Sequence, residues 1–397
     1  MNVVLVISCL RNGLGIIRSL GEKNNYIIGV DHYSNSPGLH SKYLNEKHII
    51  PDPKKDELKF IEDLIAIAKK HTSKIYIIPT GNEYIYTFIK HKNILEEYYI
   101  PLFLTDMNLL DNCSEKTKYE KLLANTIVNL PRHYNVTLSS IADLSINYPV
   151  IIKPTKLNNN VNGKMVHVFK NKTCYNNSEL IEAIEILNNA EIDYVVQEII
   201  PGDDSNLYTC GISAINGQLL ACFTGRKLRQ FPPKTGEASF AESVVDEELI
   251  EYAKLISKIT QFTGISQIEF KKYNSKYYFI EMNPRTYSWN SLATFCGVNL
   301  PNIIIEQYHS TTEVKLKTND RYGTWIFAYE DFLHNVILNK NISLFQFLKD
   351  VFSANKHAYF LLKDPKPALY FYLIDFNNKI KHYIKNMFKS NKPIQQA

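Results

Sequence analysis

The sequence predicts a mixed α/β and α+β protein with a Rossmann-like N-terminal unit, α+β units that carry a β-hairpin, and a helical C-terminal extension. Residues 3–7 form an apolar run, a turn with Gly13 and Gly15 follows, and a second apolar run ends at Asp31. This order of strand, glycine turn, helix, strand and acidic residue begins a doubly wound α/β unit. Apolar and polar residues alternate in 267–271 and 277–283 around a polar turn, which predicts a β-hairpin.

Bulk composition is that of an ordinary globular protein and excludes several classes. The 397 residues allow two or three domains, and 45% hydrophobic with 21% charged residues gives no sign of disorder. The net charge of +5 is small, so we expect no nucleic-acid binding, which needs a concentrated basic face. No apolar stretch approaches the ~20 residues of a transmembrane helix. Six scattered cysteines without a CxxC pair indicate reduced thiols, and we expect a cytoplasmic location.

The N-terminal unit carries candidate ligand-binding residues at the end of a strand. Its glycine pattern is not GxGxxG, so a small-molecule crevice is favoured over a nicotinamide site. A further strand is expected at 74–79, and residues 80–83 follow it at the edge where open α/β sheets bind ligands. The alternative is that residues 80–83 only begin the next helix.

A second unit begins at residue 148 with an apolar strand that ends in Lys153 and Pro154. A lysine in this position either extends its ammonium group to solvent or holds an anion, and we favour the anion. The polar loop 158–164, which contains Gly163 and ends at Lys164, is able to fold over phosphates through its backbone N–H groups. The alternative for this loop is the tip of a surface hairpin.

The strand predicted at 194–198 is followed by a turn whose residue types suit the binding of a purine. Glu198 is placed to face the edge of a purine, while Ile199 and Ile200 pack against its ring. Asp203 and Asp204 follow closely and are able to accept hydrogen bonds from ribose hydroxyls. Each of these signals is weak when taken alone.

Another strand, predicted at 219–224, runs directly into a cluster of cations. Arg226, Lys227 and Arg229 precede a pair of prolines, and this grouping predicts binding of an anionic group. Because side chains alternate along a strand, Arg226 and Lys227 point to opposite faces unless the chain bends. The alternative is a charged strand end without a ligand.

The predicted hairpin places two carboxylates opposite each other. If the turn centres on Ser275, Glu269 faces Glu281, and Asn283 lies two residues further along the same face. Like charges directly opposite destabilise a hairpin unless a cation neutralises them. Mg²⁺ takes oxygen ligands of this kind, so the face is a candidate metal site, with a solvated strand face as the alternative.

The C-terminal segment is predicted to be helical over 331–388. Between residues 356 and 392 eight lysines stand against two aspartates, with aromatic residues between them. This composition is typical of an interfacial segment on an anionic membrane. The alternative is a helical appendage with a solvated basic side.

Taken together, these segments resemble the ATP-grasp superfamily, in its carboxylate–amine ligase-like branch that includes D-aspartate ligase. The motifs that carry the resemblance are PVIIKP at 149–154, QEIIPG at 197–202, FTGRKLRQ at 223–230 and IEMNPR at 280–285. The resemblance implies a Rossmann-like pre-ATP-grasp domain over 1–110, a two-subdomain ATP-grasp domain over 111–312 with its lid at about 148–200, and a helical extension over 313–397. The phosphate loop departs from the family by lacking a glycine cluster, and Asn82 stands where relatives often carry aspartate.

The resemblance also implies residue roles and a reaction. ATP and Mg²⁺, or Mn²⁺ in its place, would be the cofactors, with the metal on Glu269, Glu281 and Asn283. The implied catalytic residues are Arg226, Lys227 and Arg285. The implied ATP-binding residues are Lys116, Lys153, Lys164, Gln197, Glu198, Ile199, Ile200 and Asp204.

The reaction implied is ATP-dependent ligation. A small-molecule carboxylate would attack the γ-phosphate, and an amine would displace phosphate from the resulting acyl phosphate to form an amide. One alternative adds an amino acid to a peptidoglycan or polysaccharide precursor, with peripheral membrane contact through the basic C-terminal segment. Another is a nucleotide-binding regulatory module without catalysis. A homodimer is the default assembly.

Overall fold

The computed structural model describes residues 1–155, 168–232, 236–310 and 315–375, and the backbone alone at 160–161 and 164–165. Side chains of 374–375 are not included in this description. The predicted phosphate loop, at 158–164, therefore lies outside the described side chains. Within the described ranges, no helix is both long and apolar enough to cross a membrane.

The N-terminal unit is a five-stranded parallel sheet, as predicted, with strand order β3-β2-β1-β4-β5. Its first two strands are buried almost throughout, and this burial explains why they are continuous apolar runs. Asp31 ends the second strand, and its carboxylate accepts a hydrogen bond of 2.7 Å from the backbone N–H of Cys9. The strands are β1 (Val3–Ile7), β2 (Tyr26–Asp31), β3 (Glu46–Ile49), β4 (Ile75–Pro79) and β5 (Tyr99–Pro101).

The second sheet is antiparallel and four-stranded, with order β10-β7-β11-β6. A separate two-stranded hairpin, β8 with β9, lies between its strands in sequence. The helix Asn177–Asn189 packs Leu180, Ala183, Ile184 and Leu187 into a core with the buried face of this sheet. The strands are β6 (His133–Tyr134), β7 (Val150–Pro154), β8 (Asn160–Val161), β9 (Lys164–Met165), β10 (Lys172–Cys174) and β11 (Tyr194–Glu198).

The third sheet is the largest, with the order β16-β15-β12-β13-β14-β18-β19 and β17 paired to β13. It contains the predicted hairpin, β15 with β16, at one edge. Its strands are β12 (Leu207–Ile215), β13 (Gln218–Phe231), β14 (Glu237–Ser243), β15 (Gly264–Tyr273), β16 (Lys276–Asn283), β17 (Lys317–Thr318), β18 (Thr324–Ile326) and β19 (Lys356–His357).

Helices cover the sheets and connect them. Side-chain caps begin several of them, as at Asp56 and Asp246, whose carboxylates accept from backbone N–H groups three residues ahead. The α-helices are α1 (Arg11–Gly21), α2 (Glu57–Ala68), α3 (Asn82–Lys90), α4 (Lys92–Leu95), α5 (Met107–Ser114), α6 (Lys116–Leu123), α7 (Asn177–Asn189), α8 (Glu247–Ile259), α9 (Ser291–Phe295), α10 (Leu300–Gln307), α11 (Ala328–Asp331), α12 (Leu344–Ser353) and α13 (Lys366–Tyr370). Two π-helical segments are Phe332–Leu338 and Phe371–Asp375, and two 3₁₀ segments are Pro37–His40 and Asp204–Asn206.

The C-terminal extension is only partly the helical segment that the sequence predicts. It also contributes strands β17, β18 and β19 to the third sheet, so it is an integral part of that sheet. Two largely buried arginines fix it to the rest of the chain through three ion pairs. Arg18 bonds to Asp364 at 3.0 Å, and Arg229 bonds to both Asp331 and Asp350 at 2.8 Å. The predicted domain boundaries at 110 and 312 stay predictions.

Candidate active site

A cavity of about 640 Å³ opens between the second and third sheets, and most of the residues predicted for the site line it. Strands β7 and β11 contribute one wall, and β13 to β16 contribute the other. The predicted residues along its walls are Lys116, Lys153, Gln197, Glu198, Ile199, Ile200, Lys227, Glu269, Glu281, Asn283 and Arg285. Residues that are more than a hundred positions apart in sequence therefore meet around one space.

The two predicted carboxylates face each other in the hairpin, as expected, but the turn and the strand pairing differ from the prediction. Glu269 lies opposite Glu281, and Gln267 lies opposite Asn283. The turn consists of two residues, Asn274 and Ser275, whose φ angles are 47° and 62°. A two-residue turn with both φ values positive is the form that matches the twist of the flanking strands. The predicted centre on Ser275 was therefore wrong by half a residue.

With this two-residue turn and regular pairing, Glu269 would lie opposite Ile280. A β-bulge shifts the pairing by one residue, so that Glu269 lies opposite Glu281. Phe270 pairs with Phe279, whereas the next pair is Glu269 with Glu281, so Ile280 is the extra residue. Without it, strict alternation would put Glu281 on the face opposite to Glu269. The Tyr119 hydroxyl donates to the carbonyl oxygen of Ile280 at 3.3 Å, which contributes a partner for the bulged backbone. The bulge is thus what brings both carboxylates into the cavity.

Glu269, on β15, is neutralised by a lysine of β13, the strand beyond β12 in the sheet. Its Oε1 lies 2.7 Å from Nζ of Lys227, and these two side chains are only 11% and 7% exposed. The same oxygen accepts from the Gln267 amide at 3.3 Å. Burial raises the pKa of Glu269, and the neighbouring Glu281 raises it further, although Lys227 opposes this shift. The Lys227–Glu269 pair is thus a charged contact in a nearly dry environment, where it is screened little by salt.

The surroundings of Glu281 lower its pKa, whereas those of Glu269 raise the pKa of that residue. Burial raises its pKa, but Lys170, the Asn283 amide, Lys116 and Lys153 together outweigh burial and lower the pKa to about 2. The amide of Asn283 donates to its Oε1 at 2.9 Å. Glu281 is therefore ionised throughout the physiological pH range.

Two lysines from different elements face this carboxylate. Lys116, at the start of α6, is buried and donates to the carbonyl oxygen of Pro154 at 3.1 Å. Burial lowers the pKa of Lys116 and lowers that of Lys153 to about 8, while Glu281 opposes both shifts. Two ammonium groups largely withdrawn from water beside one carboxylate leave an excess of positive charge, which suits an anion of high charge such as a polyphosphate.

The strand end at 197–200 lines the opposite part of the cavity. Gln197 is buried and donates to Glu120 at 2.5 Å, so its side chain is held by the protein. Glu198 accepts from the backbone N–H of Arg132 at 2.8 Å, and its own N–H donates to the carbonyl of Arg132 at 2.9 Å. Ile200 is buried, and Ile199 lies beside it on the wall. These contacts leave an apolar surface framed by backbone polar groups, a form suited to a flat heterocycle.

Three predicted site residues are placed differently. Arg226 pairs with Glu242 at 2.5 Å, directly across from it on β14, and is not one of the described residues that line the cavity. The alternation of β13 explains this, because Lys227 next to it takes the cavity face. Asp204 also lies off the cavity wall and accepts from Gln230, which does line it, at 2.8 Å. The side chain of Lys164 lies outside the described residues.

Sequence reasoning missed several residues of the cavity. Gln267 shares the face of Glu269, and its period-two spacing was a signal that could have revealed it. Glu237, Ser288 and Trp289 also line the cavity, and their sequence carries no comparable signal. Glu237 forms an ion pair with Arg11 of the N-terminal unit, which connects the two parts beside the cavity.

The N-terminal residues 80–83 lie at the end of β4, and α3 begins at Asn82. The structure thus places them both at the end of a strand and at the start of a helix, and the prediction of ligand binding there stays a prediction. They are not among the described residues that line the large cavity.

Comparisons with known proteins agree with this arrangement. Residues 193–326 match the family model described as ATP-grasp in the biosynthetic pathway with Ter operon. D-aspartate ligase of Enterococcus faecium (strain Aus0004) is 24% identical over 291 residues, which are 68% of this chain and 68% of that protein.

Solved structures share the fold at low sequence identity. L-amino acid ligase from Bacillus licheniformis superposes with a TM-score of 0.55 at 15% identity, covering 82% of this chain and 79% of that one. The biotin carboxylase domain of Hydrogenobacter thermophilus 2-oxoglutarate carboxylase was solved in complex with MgADP and bicarbonate. It superposes with a TM-score of 0.60 at 14% identity, covering 82% of this chain and 74% of that one.

The fold is the ATP-grasp fold, in which two α+β parts enclose a cavity behind a Rossmann-like unit. The predicted resemblance is confirmed. The chain is thus similar to ATP-grasp proteins, among them D-aspartate ligase in sequence and L-amino acid ligase in fold.

Proposed function

We propose that this protein is an ATP-dependent carbon–nitrogen ligase that activates a small-molecule carboxylate and couples it to an amine. The observation that carries the proposal is the meeting of two glutamates, Asn283 and three lysines in one cavity. Glu269 and Glu281 face each other across the hairpin, and Lys116, Lys153 and Lys227 surround them. This arrangement fits a polyphosphate with a divalent cation better than it fits a neutral ligand.

The donor set fits Mg²⁺. Glu269, Glu281 and the amide oxygen of Asn283 offer hard oxygen ligands on one face, as Mg²⁺ prefers. The described residues contain no group of three or more His, Cys, Asp or Glu side chains that would hold a metal ion by themselves. Mg²⁺ would therefore complete its shell with phosphate oxygens and water, and when bound it would neutralise charge on the transferring phosphoryl group. Mn²⁺ has similar ligand preferences and is the second candidate.

The ATP site would extend from these carboxylates to the strand end at 197–200. Lys116 and Lys153 would hold the phosphates, because both line the cavity on the side of the Glu281 carboxylate. Glu198, Ile199 and Ile200 would frame the adenine, with Gln197 supporting them. Asp204, which holds Gln230 of the cavity wall, would lie near the ribose. The related carboxylase domain solved with MgADP supports nucleotide binding by this fold.

Chemistry would proceed in two displacements. A carboxylate oxygen of the substrate attacks the γ-phosphorus, the bond from that phosphorus to the bridging oxygen breaks, and ADP leaves. The amine nitrogen then attacks the carbonyl carbon of the acyl phosphate, the carbon–oxygen bond to phosphate breaks, and the amine loses a proton to solvent or to the departing phosphate. Lys227 and Arg285, which both line the cavity, would balance charge on the carboxylate and on the phosphoryl group during these steps.

An assay for the acyl phosphate tests the proposal directly. Purified protein with MgATP would be screened against pools of carboxylates with hydroxylamine as the trapping amine. We expect ADP release and hydroxamate formation that depend on a carboxylate and are lost in Glu281→Gln. Nucleotide binding without turnover across a broad pool, unchanged in Glu281→Gln, would instead favour a regulatory nucleotide-binding module.

A second candidate function is ligation of an amino acid to a cell-envelope precursor. The lysine-rich composition of the C-terminal segment favours it, because peripheral membrane contact would suit an acceptor carried by a lipid. Replacing the pool of free amines by lipid-linked acceptors in vesicles separates the two candidates. Binding of nucleic acid is not part of either proposal.

Assembly and location complete the proposal. We propose a cytoplasmic protein, because its six cysteines are free and buried. A homodimer is proposed on general grounds of oligomer frequency. Light scattering and cell fractionation test these two points.

A further inference from the structure

The C-terminal extension exposes an unusual amount of apolar side-chain surface. Residues 332–373 contain 11 of the 26 exposed large hydrophobic residues in the described part of the chain, although they are a small part of its length. Exposed apolar residues scattered singly are ordinary, whereas a concentration of them marks an interaction surface. The 11 residues are Ile337, Leu338, Leu344, Phe345, Leu348, Phe352, Phe360, Leu362, Leu369, Tyr372 and Leu373.

Four of these residues form one continuous stripe on helix α12. Leu344, Phe345, Leu348 and Phe352 follow the spacing i, i+1, i+4 and i+8, which places them within about 100° of helix circumference. The two phenylalanines are 79% and 84% exposed. The opposite side of α12 packs against the protein: Phe347 is buried, and its ring centroid lies 5.2 Å from that of Phe332. The helix is therefore apolar on both its buried side and its exposed side.

The exposed charged side chains of residues 332–373 are all lysines. The only acidic residues of 332–373 are Asp350 and Asp364, and both are buried in ion pairs with arginines from other parts of the chain. Four lysines of the same segment are exposed: Lys340, Lys349, Lys363 and Lys366. Beyond 373 the sequence contains Asp375, and residues 376–397 then contain five lysines and no aspartate or glutamate. The apolar stripe thus lies in a segment whose exposed charges are positive, and such a segment is complementary to an anionic surface with an apolar interior.

The stripe is held rigidly to the active-site sheet. Asp350, on the buried side of α12, bonds to Arg229 of β13 at 2.8 Å, two residues from the Lys227 that reaches Glu269. Phe231, which lines the cavity at the end of the same strand, stacks on His334 with ring centroids 3.5 Å apart. The exposed helix is thus attached beside the cavity rim.

We propose that the stripe of α12, together with Lys340 and Lys349, is a docking surface for an anionic lipid bilayer. The helix would lie in the plane of the interface with its phenylalanines among the acyl chains and its lysines at the headgroups. A second copy of the chain fits this surface less well, because a symmetric contact would bring lysines against lysines with no exposed carboxylate of 332–373 to neutralise them. Docking does not depend on the ligase reaction, and it would hold the Phe231 rim of the cavity close to the membrane.

Sedimentation with vesicles tests the docking surface. The full chain would be mixed with vesicles of phosphatidylcholine alone or with a third phosphatidylglycerol. We expect binding only to the anionic vesicles, weakening as salt rises from 50 to about 500 mM because the Debye length shortens. The double variant Phe345→Ser/Phe352→Ser should lower the partition coefficient at least about tenfold, since each ring would lose its contact with the acyl region.

Two matched variants make the result specific. Leu58→Ser/Ile127→Ser removes two equally exposed apolar side chains, 71% and 67% exposed, from outside the segment and should leave binding unchanged. Lys340→Glu/Lys349→Glu should weaken binding to anionic vesicles more than about tenfold. Thermal unfolding and nucleotide binding of all three variants should match the wild type, because the substituted side chains are exposed.

Several outcomes would overturn the docking proposal. They are absence of binding to anionic vesicles, equal binding to neutral ones, or equal loss in the Leu58→Ser/Ile127→Ser control. A wild-type dimer in light scattering that becomes a monomer in Phe345→Ser/Phe352→Ser would assign the surface to a second copy instead. A failure of vesicle binding would leave the hydroxamate assay unaffected, so the two proposals fail separately.

Discussion

Replacing Glu281 by glutamine changes the site by one charge and almost no volume. The neutral amide would still fit beside Asn283, but it would face Lys116, Lys153 and Lys170 without a negative charge. We therefore expect the variant to lose both stability and nucleotide turnover. The loss of stability is a property of the protein without metal, and it can be measured independently of any substrate.

The magnitude follows from the pKa of Glu281. Its surroundings lower the pKa from 4.5 to about 2, and each pKa unit corresponds to ~1.4 kcal/mol, so the ionised form contributes up to ~3 kcal/mol. Because the folded-state pKa lies below the unfolded one, this contribution is complete above pH ~4.5 and is lost as the pH falls through ~2. Glu281→Gln should therefore be less stable by up to ~3 kcal/mol at pH 7 and by ~2 kcal/mol at pH 3.5.

Urea unfolding at the two pH values checks this expectation. The surface variant Glu62→Gln, at a side chain that is 70% exposed, serves as the control and should change stability by less than ~0.5 kcal/mol. Addition of Mg²⁺ and ADP at about 100 times the dissociation constant should stabilise the wild type by a further ~2.7 kcal/mol and the variant by much less. Equal stability of Glu281→Gln and wild type at pH 7, with equal stabilisation by Mg²⁺ and ADP, would refute the electrostatic account of the site.

Three further predictions concern single charges around the cavity. Without metal, the affinity for ADP should fall as pH rises above about 8, because Lys153 loses its proton there, and Lys153→Arg should remove this fall in calorimetric titrations. Lys227→Gln should lower carboxylate-dependent ATP turnover about 100-fold, since it leaves Glu269 without its cation, whereas Arg226→Gln should change turnover less than about threefold. Arg229→Gln should lower the free energy of unfolding in urea by about 3–5 kcal/mol, because two buried aspartates lose their cation.

A specific experimental result would contradict each of these three predictions. A pH dependence of ADP affinity that persists in Lys153→Arg would assign the titration to another group. Equal losses of turnover in Lys227→Gln and Arg226→Gln would return Arg226 to the catalytic role that the sequence suggests. A stability of Arg229→Gln within ~1 kcal/mol of wild type would mean that water or a neighbouring cation neutralises the aspartates.

The hairpin illustrates how far the sequence leads and where it stops. Alternation of apolar and polar residues about a turn near Ser275 was sufficient to predict that Glu269 faces Glu281, and the strand pairing agrees. Strict alternation does not explain why Phe279 and Met282 are both buried, because the bulge at Ile280 lies between them. The turn of two residues and the bulge at Ile280 were not predictable. The bulge has a partner that is distant in sequence, because the hydroxyl of Tyr119, 161 residues away, donates to the carbonyl oxygen of Ile280.

The position of Arg226 in the structure differs from the one that the sequence suggests. Sequence similarity to the family favours a catalytic role for it, but strand alternation and the facing carboxylate of Glu242 hold its side chain away from the cavity. The Arg226–Glu242 pair depends on the register of β13 with β14, which contains irregularities that no local pattern encodes.

By itself, the sequence determined the order of the units, the buried strands of the N-terminal sheet, the paired carboxylates and the cationic strand ends. These features follow from local alternation and from charge at strand termini. Only the tertiary structure decided which lysines meet the carboxylates, how deeply Lys116 and Lys153 are buried, and that α12 is apolar on its exposed side. Electrostatic balance and burial depend on groups brought together from distant parts of the chain, and no local pattern contains that information.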